Sequence, residues 1–289
     1  MSYDIPYMMV PPEQVLYLLV DGGQVSSLAE QLYNLDGPLA LEAIYMFEPY
    51  DELRAVSPYI IQAIPSVQQW FFALEQPTAG YFVSSSSSLA DLADHFRQFI
   101  KVYPPYGSVA FFKMAHSEAA WVLFNDQVAS FWLSIEHVWV PTRFGLQEMD
   151  SPFKAKAFAD TAQATLTDWL IIDESQWQQL GLIVWRNTLD SIHQHVTQWF
   201  AKRLSSQEDP QAWLAEHAQV AYKRGFCTES DLLMYFNIIG LLGESAVTHE
   251  QAYPDIFQLL TEPSARSPSQ RVDEAELLAE KYANQDLSV

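Results

Sequence analysis

Apolar and polar positions between Val15 and Phe124 fall into a block that recurs about five times: an apolar run, a polar break, then a segment with helical spacing. Val15 to Val20 is almost wholly apolar, which predicts a short strand buried on both faces, and Asp21-Gly22-Gly23 breaks it. Leu28, Leu32 and Leu35 stand at i, i+4 and i+7 and predict a helix that Asp36-Gly37-Pro38 stops. Leu41 to Phe47 reads as a second strand, Asp51-Glu52 after Pro49 as a short helical turn, and Tyr59 to Ile64 as a third strand. Pro65-Ser66 then precedes Val67, Trp70, Phe71 and Leu74 at helical spacing. Gly80 to Val83 is the fourth strand. Ser88, three residues before Asp91, caps a helix whose Leu89, Leu92, Ala93, Phe96 and Ile100 share a face. Val109 to Met114 is the fifth strand. Strands alternating with helices predict a mainly parallel sheet flanked by helices.

Beyond Glu118 the rhythm changes. Glu118 to Ile135 reads as one broken or two short helices, and His137-Val138-Trp139-Val140-Pro141 as an edge strand ending at its proline. Thr142 to Asp173 is weakly periodic. The rest is helical: Leu189, Ile192, Val196, Trp199 and Leu204 form a stripe, and Asp209-Pro210 supplies an N-cap with proline at the first helical position. Gly225 ends that helix in a left-handed cap, and Thr228 with Asp231 makes a capping box for Leu232, Phe236, Ile239 and Leu242. Pro254 to Leu260 is a further helix, Ser264 to Ser269 a linker, and Arg271 to Tyr282 a final acidic helix. The expected organisation is an α/β lobe over residues 1–141, a connecting region over 142–173, an all-α lobe over 174–263, and a linker with an acidic C-terminal helix over 264–289.

Length and composition fit a large core: 289 residues, 49% of them hydrophobic. The net charge of -21 arises although only 18% of residues are charged, below the roughly 25% usual for globular domains, so lysine and arginine are scarce. Such a chain lacks the clustered cations on which affinity for a phosphate backbone rests, so nucleic acid is not an expected partner. The acidity either serves solubility or steers a basic partner. No apolar run approaches the roughly 20 residues of a membrane helix, and Met1-Ser2-Tyr3-Asp4 starts with an acid where a signal peptide has bases. No membrane association is expected. Cys227 is the only cysteine, so no intramolecular disulfide can form; a buried, inert thiol and a cytoplasmic location are expected.

Catalytic chemistry has one candidate. Asp21 lies at the carboxyl end of the first strand, where open α/β sheets bind ligands. Yet Gly22-Gly23 falls short of a dinucleotide fingerprint, and the chain has neither a Walker lysine nor a Gly-x-Ser-x-Gly elbow. An isolated aspartate there also serves to close a turn, and the serines from Ser84 to Ser88 serve capping and loop solvation. His193 and His195 point some 200° apart on a helix and do not chelate one ion. No metal or cofactor is expected. Aromatic content of 14% favours interaction surfaces instead. Candidate anchors are Leu277, Leu278 and Tyr282 on the final helix, which either docks on a partner or folds back on its own lobe, and the Phe131-Trp132 pair. Trp70-Phe71-Phe72, at helical spacing, belongs mostly to the core.

Several segments resemble a known family. Tyr17-Leu18-Leu19-Val20-Asp21-Gly22, Ser57-Pro58-Tyr59-Ile60-Ile61, and Gly80 to Ser84 running into Leu92-Ala93-Asp94-His95-Phe96-Arg97 are similar to the N-terminal domain of bacterial type VI secretion adaptors, domain of unknown function 4123. Gly225-Phe226-Cys227-Thr228-Glu229-Ser230-Asp231, followed by Gly243, resembles the helical half of that family. The resemblance implies a non-enzymatic, cytoplasmic effector chaperone that binds a toxin effector and helps load it onto the spike complex. Its implied partners are the effector and a spike protein. One departure is Phe111-Phe112-Lys113-Met114-Ala115-His116, where the family continues into an arginine and an Asp-Pro pair. Two other functions remain open: an immunity-like acidic inhibitor of a basic toxin, and a hydrolase centred on Asp21.

Overall fold

The structure, a computed structural model, describes residues 6–153 and 170–286. Much of the expected connecting region 142–173 therefore lies outside the described residues. Contacts divide the chain into two compact units, Met1–Ile183 and Val184–Val289.

The first unit is built on β1 (Val15–Val20), α1 (Leu28–Tyr33), β2 (Leu41–Ala43), β3 (Tyr59–Gln62), α2 (Pro65–Ala73) and β4 (Gly80–Ser85). It continues through α3 (Leu89–Arg97), β5 (Lys101–Tyr103), β6 (Ala110–Phe111), α4 (Ser117–Asn125), α5 (Ala129–Trp132), β7 (His137–Thr142), β8 (Gly145–Asp150) and β9 (Leu170–Ile171). The main sheet runs β2-β3-β1-β4-β7-β8. Every neighbouring pair whose register is resolved in it is antiparallel, which corrects the expectation of a mainly parallel sheet. The helical crossovers do join parallel strands, β1 to β2 and β3 to β4, but an antiparallel strand lies between each pair. This is the split β-α-β arrangement of ferredoxin-like topologies, extended by β7 and β8. A strand pattern alone does not distinguish it from a parallel sheet, because both bury the two faces of their strands.

Both faces are covered. Leu18 and Val20 pack with Ile61 and Phe82 beneath α1 and α2, through Leu28, Leu32, Val67 and Phe71. Leu19 packs with Ile60 and Tyr81 on the opposite face, beneath Phe96 of α3, Phe124 of α4 and Phe131 of α5. Two glycines allow backbones to meet around β1. A Cβ on Gly22 would lie 2.2 Å from the Ser57 carbonyl oxygen, and one on Gly80 would lie 2.4 Å from that of Leu19.

Two further expectations are revised. The segment read as a fifth strand of the sheet contributes only β6, and to a separate small sheet ordered β6-β5-β9. β7 is no edge strand: it continues through Pro141 to Thr142 and pairs with β8 along its length.

α6 (Glu174–Trp199) leads into the second unit, which holds α7 (Ala201–Ser205), α8 (Pro210–Lys223), α9 (Glu229–Leu242), α10 (Ser245–Thr248), α11 (Pro254–Thr261) and α12 (Pro268–Asp286). Local signals in the sequence set its boundaries. Asp209 accepts from the amides of Gln211 and Ala212, Thr228 and Asp231 form a reciprocal capping box, and Gly225 turns the chain at φ 95°. α12 packs along α9, burying Val272, Ala275 and Ala279. His195 on α6 donates to Asn237 on α9 at 2.5 Å, and Asn237 donates to Glu276 on α12, so one polar chain links three helices. Cys227, expected to be buried, is exposed, because it sits in the turn between α8 and α9.

Candidate functional site

Asp21 is buried where β1 ends. Its Oδ1 accepts from the Gly23 amide at 2.8 Å and its Oδ2 from Gln24 Nε2 at 3.1 Å. Gln24 also donates to the Thr78 carbonyl, which ties this turn to the segment that feeds β4. Both carboxylate oxygens thus hold a turn together, as an Asx turn does. Nearby groups register its charge. Burial and then the Asp21 carboxylate push the Tyr45 phenol up to about 12. Burial pushes the His116 ring down, against the pull of Glu118 and Asp21. His116 Nδ1 accepts from the Ala119 amide and caps α4, while Glu118 accepts from the Arg143 amide and Nε, both at 3.1 Å. Through both Asp21 oxygens, His116 Nδ1 and Glu118 Oε1 these polar groups bind loops to one another.

The candidate anchors lie in contrasting places. Phe131 and Trp132 are fully buried, and the Trp132 indole donates to the Phe124 carbonyl at 3.0 Å. Leu278 and Tyr282 pack against the core of the helical unit, and the Tyr282 ring meets that of Tyr253 at 5.4 Å. Leu277 is 60% exposed. Arg271, buried at the start of α12, donates to the carbonyls of Leu259, Glu262 and Arg224 and lies over the Phe226 ring at 5.3 Å. That one side chain serves the carbonyl-rich ends of α8 and α11 and pins α12 to its own unit.

A surface that sequence reasoning did not single out lies on the small sheet. Val102 and Leu170 turn inward to the core, so their neighbours Lys101, Tyr103 and Ile171 face outward. Phe111 pairs with Lys101 on that outer face. Phe111 is 57% exposed and Ile171 72%. The Tyr50 ring meets Phe111 edge-on at 5.9 Å, and the Lys101 ammonium lies 5.1 Å above Tyr50 and 5.4 Å above Phe111. One turn back, Phe47 is 63% exposed with the Arg97 guanidinium 5.1 Å over its ring. The surface joins aromatic rings, an aliphatic side chain and two cations, the composition that marks interface centres more than ordinary surface. The period-two alternation of Lys101-Val102-Tyr103 was the available signal, hidden by the brevity of β5.

The family described as "Domain of unknown function (DUF4123)" matches residues 16–129, which span β1 to the start of α5 and most of this surface. Accessory protein VasW of Vibrio cholerae serotype O1 is 42% identical over 287 residues, covering 99% of this chain and 94% of that protein. The chain belongs to the DUF4123 family. Likeness to VasW extends the relationship through the helical unit, beyond the matched segment. No solved structure matches the chain. The departure noted at Phe111 to His116 acquires a location in this DUF4123 protein: Phe111 is part of the exposed face, Phe112 and Met114 are core, and His116 caps α4.

Proposed function

We propose that this protein is a non-enzymatic, cytoplasmic adaptor of a type VI secretion system, which binds a toxin effector and helps load it onto the spike complex. Among the described residues, the exposed face of Phe47, Tyr50, Lys101, Tyr103, Phe111 and Ile171 carries this reading, because it is an exposed aromatic and aliphatic surface on a unit whose main sheet is already covered on both sides. The near-full-length likeness to an accessory protein supports it, as does the use of both Asp21 carboxylate oxygens in closing a turn. In this reading the effector covers the face and buries its rings.

The test is co-expression with the toxin encoded beside the gene, followed by affinity capture. A stable complex with the toxin or with a spike protein is expected, and toxin export should need this protein. Capture of neither would end the adaptor reading. Rescue of cells from the toxin without an effect on export would assign the inhibitor role instead.

A further inference from the structure

The helical unit holds a groove of about 650 Å³ where α6 gives way to α7. Phe200 breaks the helical path between them, and its ring lies flat on α9: a Cβ on Gly240 would fall 2.4 Å from ring atoms. Trp199 stands beside it, 64% exposed although it continues the apolar stripe of α6. Lys202 and Arg203 complete the lining with Gln198, Ala201 and Ser206. The Arg203 guanidinium rests on Gly243, whose Cβ would lie 3.4 Å from both terminal nitrogens.

The charge of this groove opposes that of the chain. Acidic residues number 36 against 15 lysines and arginines, yet no carboxylate lines the groove and two adjacent cations do. Three other arginines are ion-paired: Arg97 to Glu42 and Asp94, Arg143 to Glu118, Arg266 to Glu274. Among the described residues neither Lys202 nor Arg203 forms an ion pair, and Arg203 donates from Nε to the Gly240 carbonyl at 3.4 Å, leaving the two terminal nitrogens for a carboxylate. A cationic pair beside an exposed indole and an aromatic floor suits an acidic side chain next to an apolar one.

We propose that this groove binds an acidic segment of a partner protein. An aspartate or glutamate pairs with Lys202 and Arg203 while a neighbouring apolar side chain lies against Trp199 and Phe200. The inference rests on the adaptor reading only for who the partner is; the recognition chemistry stands on the groove itself.

The test uses the full chain and a short fluorescein-labelled peptide with a central tryptophan flanked by aspartates, followed by anisotropy. Saturable binding is expected, weakened by at least about tenfold in Lys202→Glu and in Trp199→Ala, the loss of about 1.4 kcal/mol of contact. Both side chains are exposed, so circular dichroism should report unchanged folding, which Arg203→Gln does not guarantee. A peptide with lysines in place of the aspartates should not bind. Absence of saturable binding to the unaltered chain, or binding undiminished in both folded variants, would overturn the proposal. So would self-association abolished by Lys202→Glu, which would assign the groove to a second copy. Toxin capture is scored separately: its failure with peptide binding intact sinks the adaptor reading alone.

Discussion

His95 Nε2 donates to the carbonyl oxygen of Phe131 at 3.2 Å, joining α3 to α5 inside the core of the first unit. The ring sits against Phe96 and Phe99, each at 5.1 Å. Burial pushes its pKa down to about 4, and the carbonyl contact only partly opposes that. The unfolded chain takes up this proton near pH 6.5, whereas the folded chain resists until about pH 4. Its stabilising effect is therefore complete above about pH 6.5 and is lost as the pH falls toward 4. Urea unfolding should show a loss of about 2 kcal/mol between pH 7 and pH 5 from this group. His95→Gln keeps a donor for the carbonyl and removes the titration, so its slope should be shallower. His116 and His217, also pushed down by burial, leave a residual slope.

Gly22→Ala should cost about 3 kcal/mol, at the upper end for overpacking, because the added carbon meets the Ser57 backbone where no rotamer can yield. A thermal melt of the variant checks this. A midpoint within a degree or two of the unaltered chain would mean the Asp21 turn is not fixed in this form.

Arg271→Met should destabilise the helical unit by about 3 kcal/mol, since it leaves carbonyls of Leu259, Glu262 and Arg224 without their buried donor. Arg271→Lys should recover only part, having no planar fork to reach all three. Hydrogen exchange is the sharper readout: amides of α12 should lose protection before those of α8.

Phe111→Asp and Ile171→Asp place charges on the outward face of the small sheet. Ile171→Asp should change stability by no more than about 0.5 kcal/mol, and Phe111→Asp should cost about 1 kcal/mol because it also gives up the edge contact with Tyr50, while each abolishes toxin capture. Leu277→Asp is the matched control on α12. Loss of capture there, with the small-sheet variants unaffected, would transfer the effector contact to the helical unit.

Legibility in the sequence followed the range of the interactions involved. Caps and turns are local, so Ser88, Asp209, Thr228 with Asp231, and Gly225 could be read from neighbours in the chain, and each serves the helix end it predicts. Strand direction is not local. Val15–Val20 and Tyr59–Gln62 are apolar on both faces in either orientation, and only the insertion of β1 between β3 and β4 settles the pairing. The exposed face needed three short strands brought from residues 101, 110 and 170, and no periodicity spans such a gap. Trp199 continues a helical stripe, yet the break at Phe200 turns the chain and leaves the indole in solvent.

The central position of β1 has a consequence during synthesis. Among the described residues it is the first strand in chain order, yet its neighbours β3 and β4 begin only at Tyr59 and Gly80. Six residues rich in leucine and valine must therefore wait, unpaired on both edges until Gln62 has left the ribosome and on one edge until Ser85 has. A nascent chain in that interval presents a segment prone to pair with its own copies on the same message. Expression yield should accordingly respond to translation rate and holdase supply while residues 15–85 are being made.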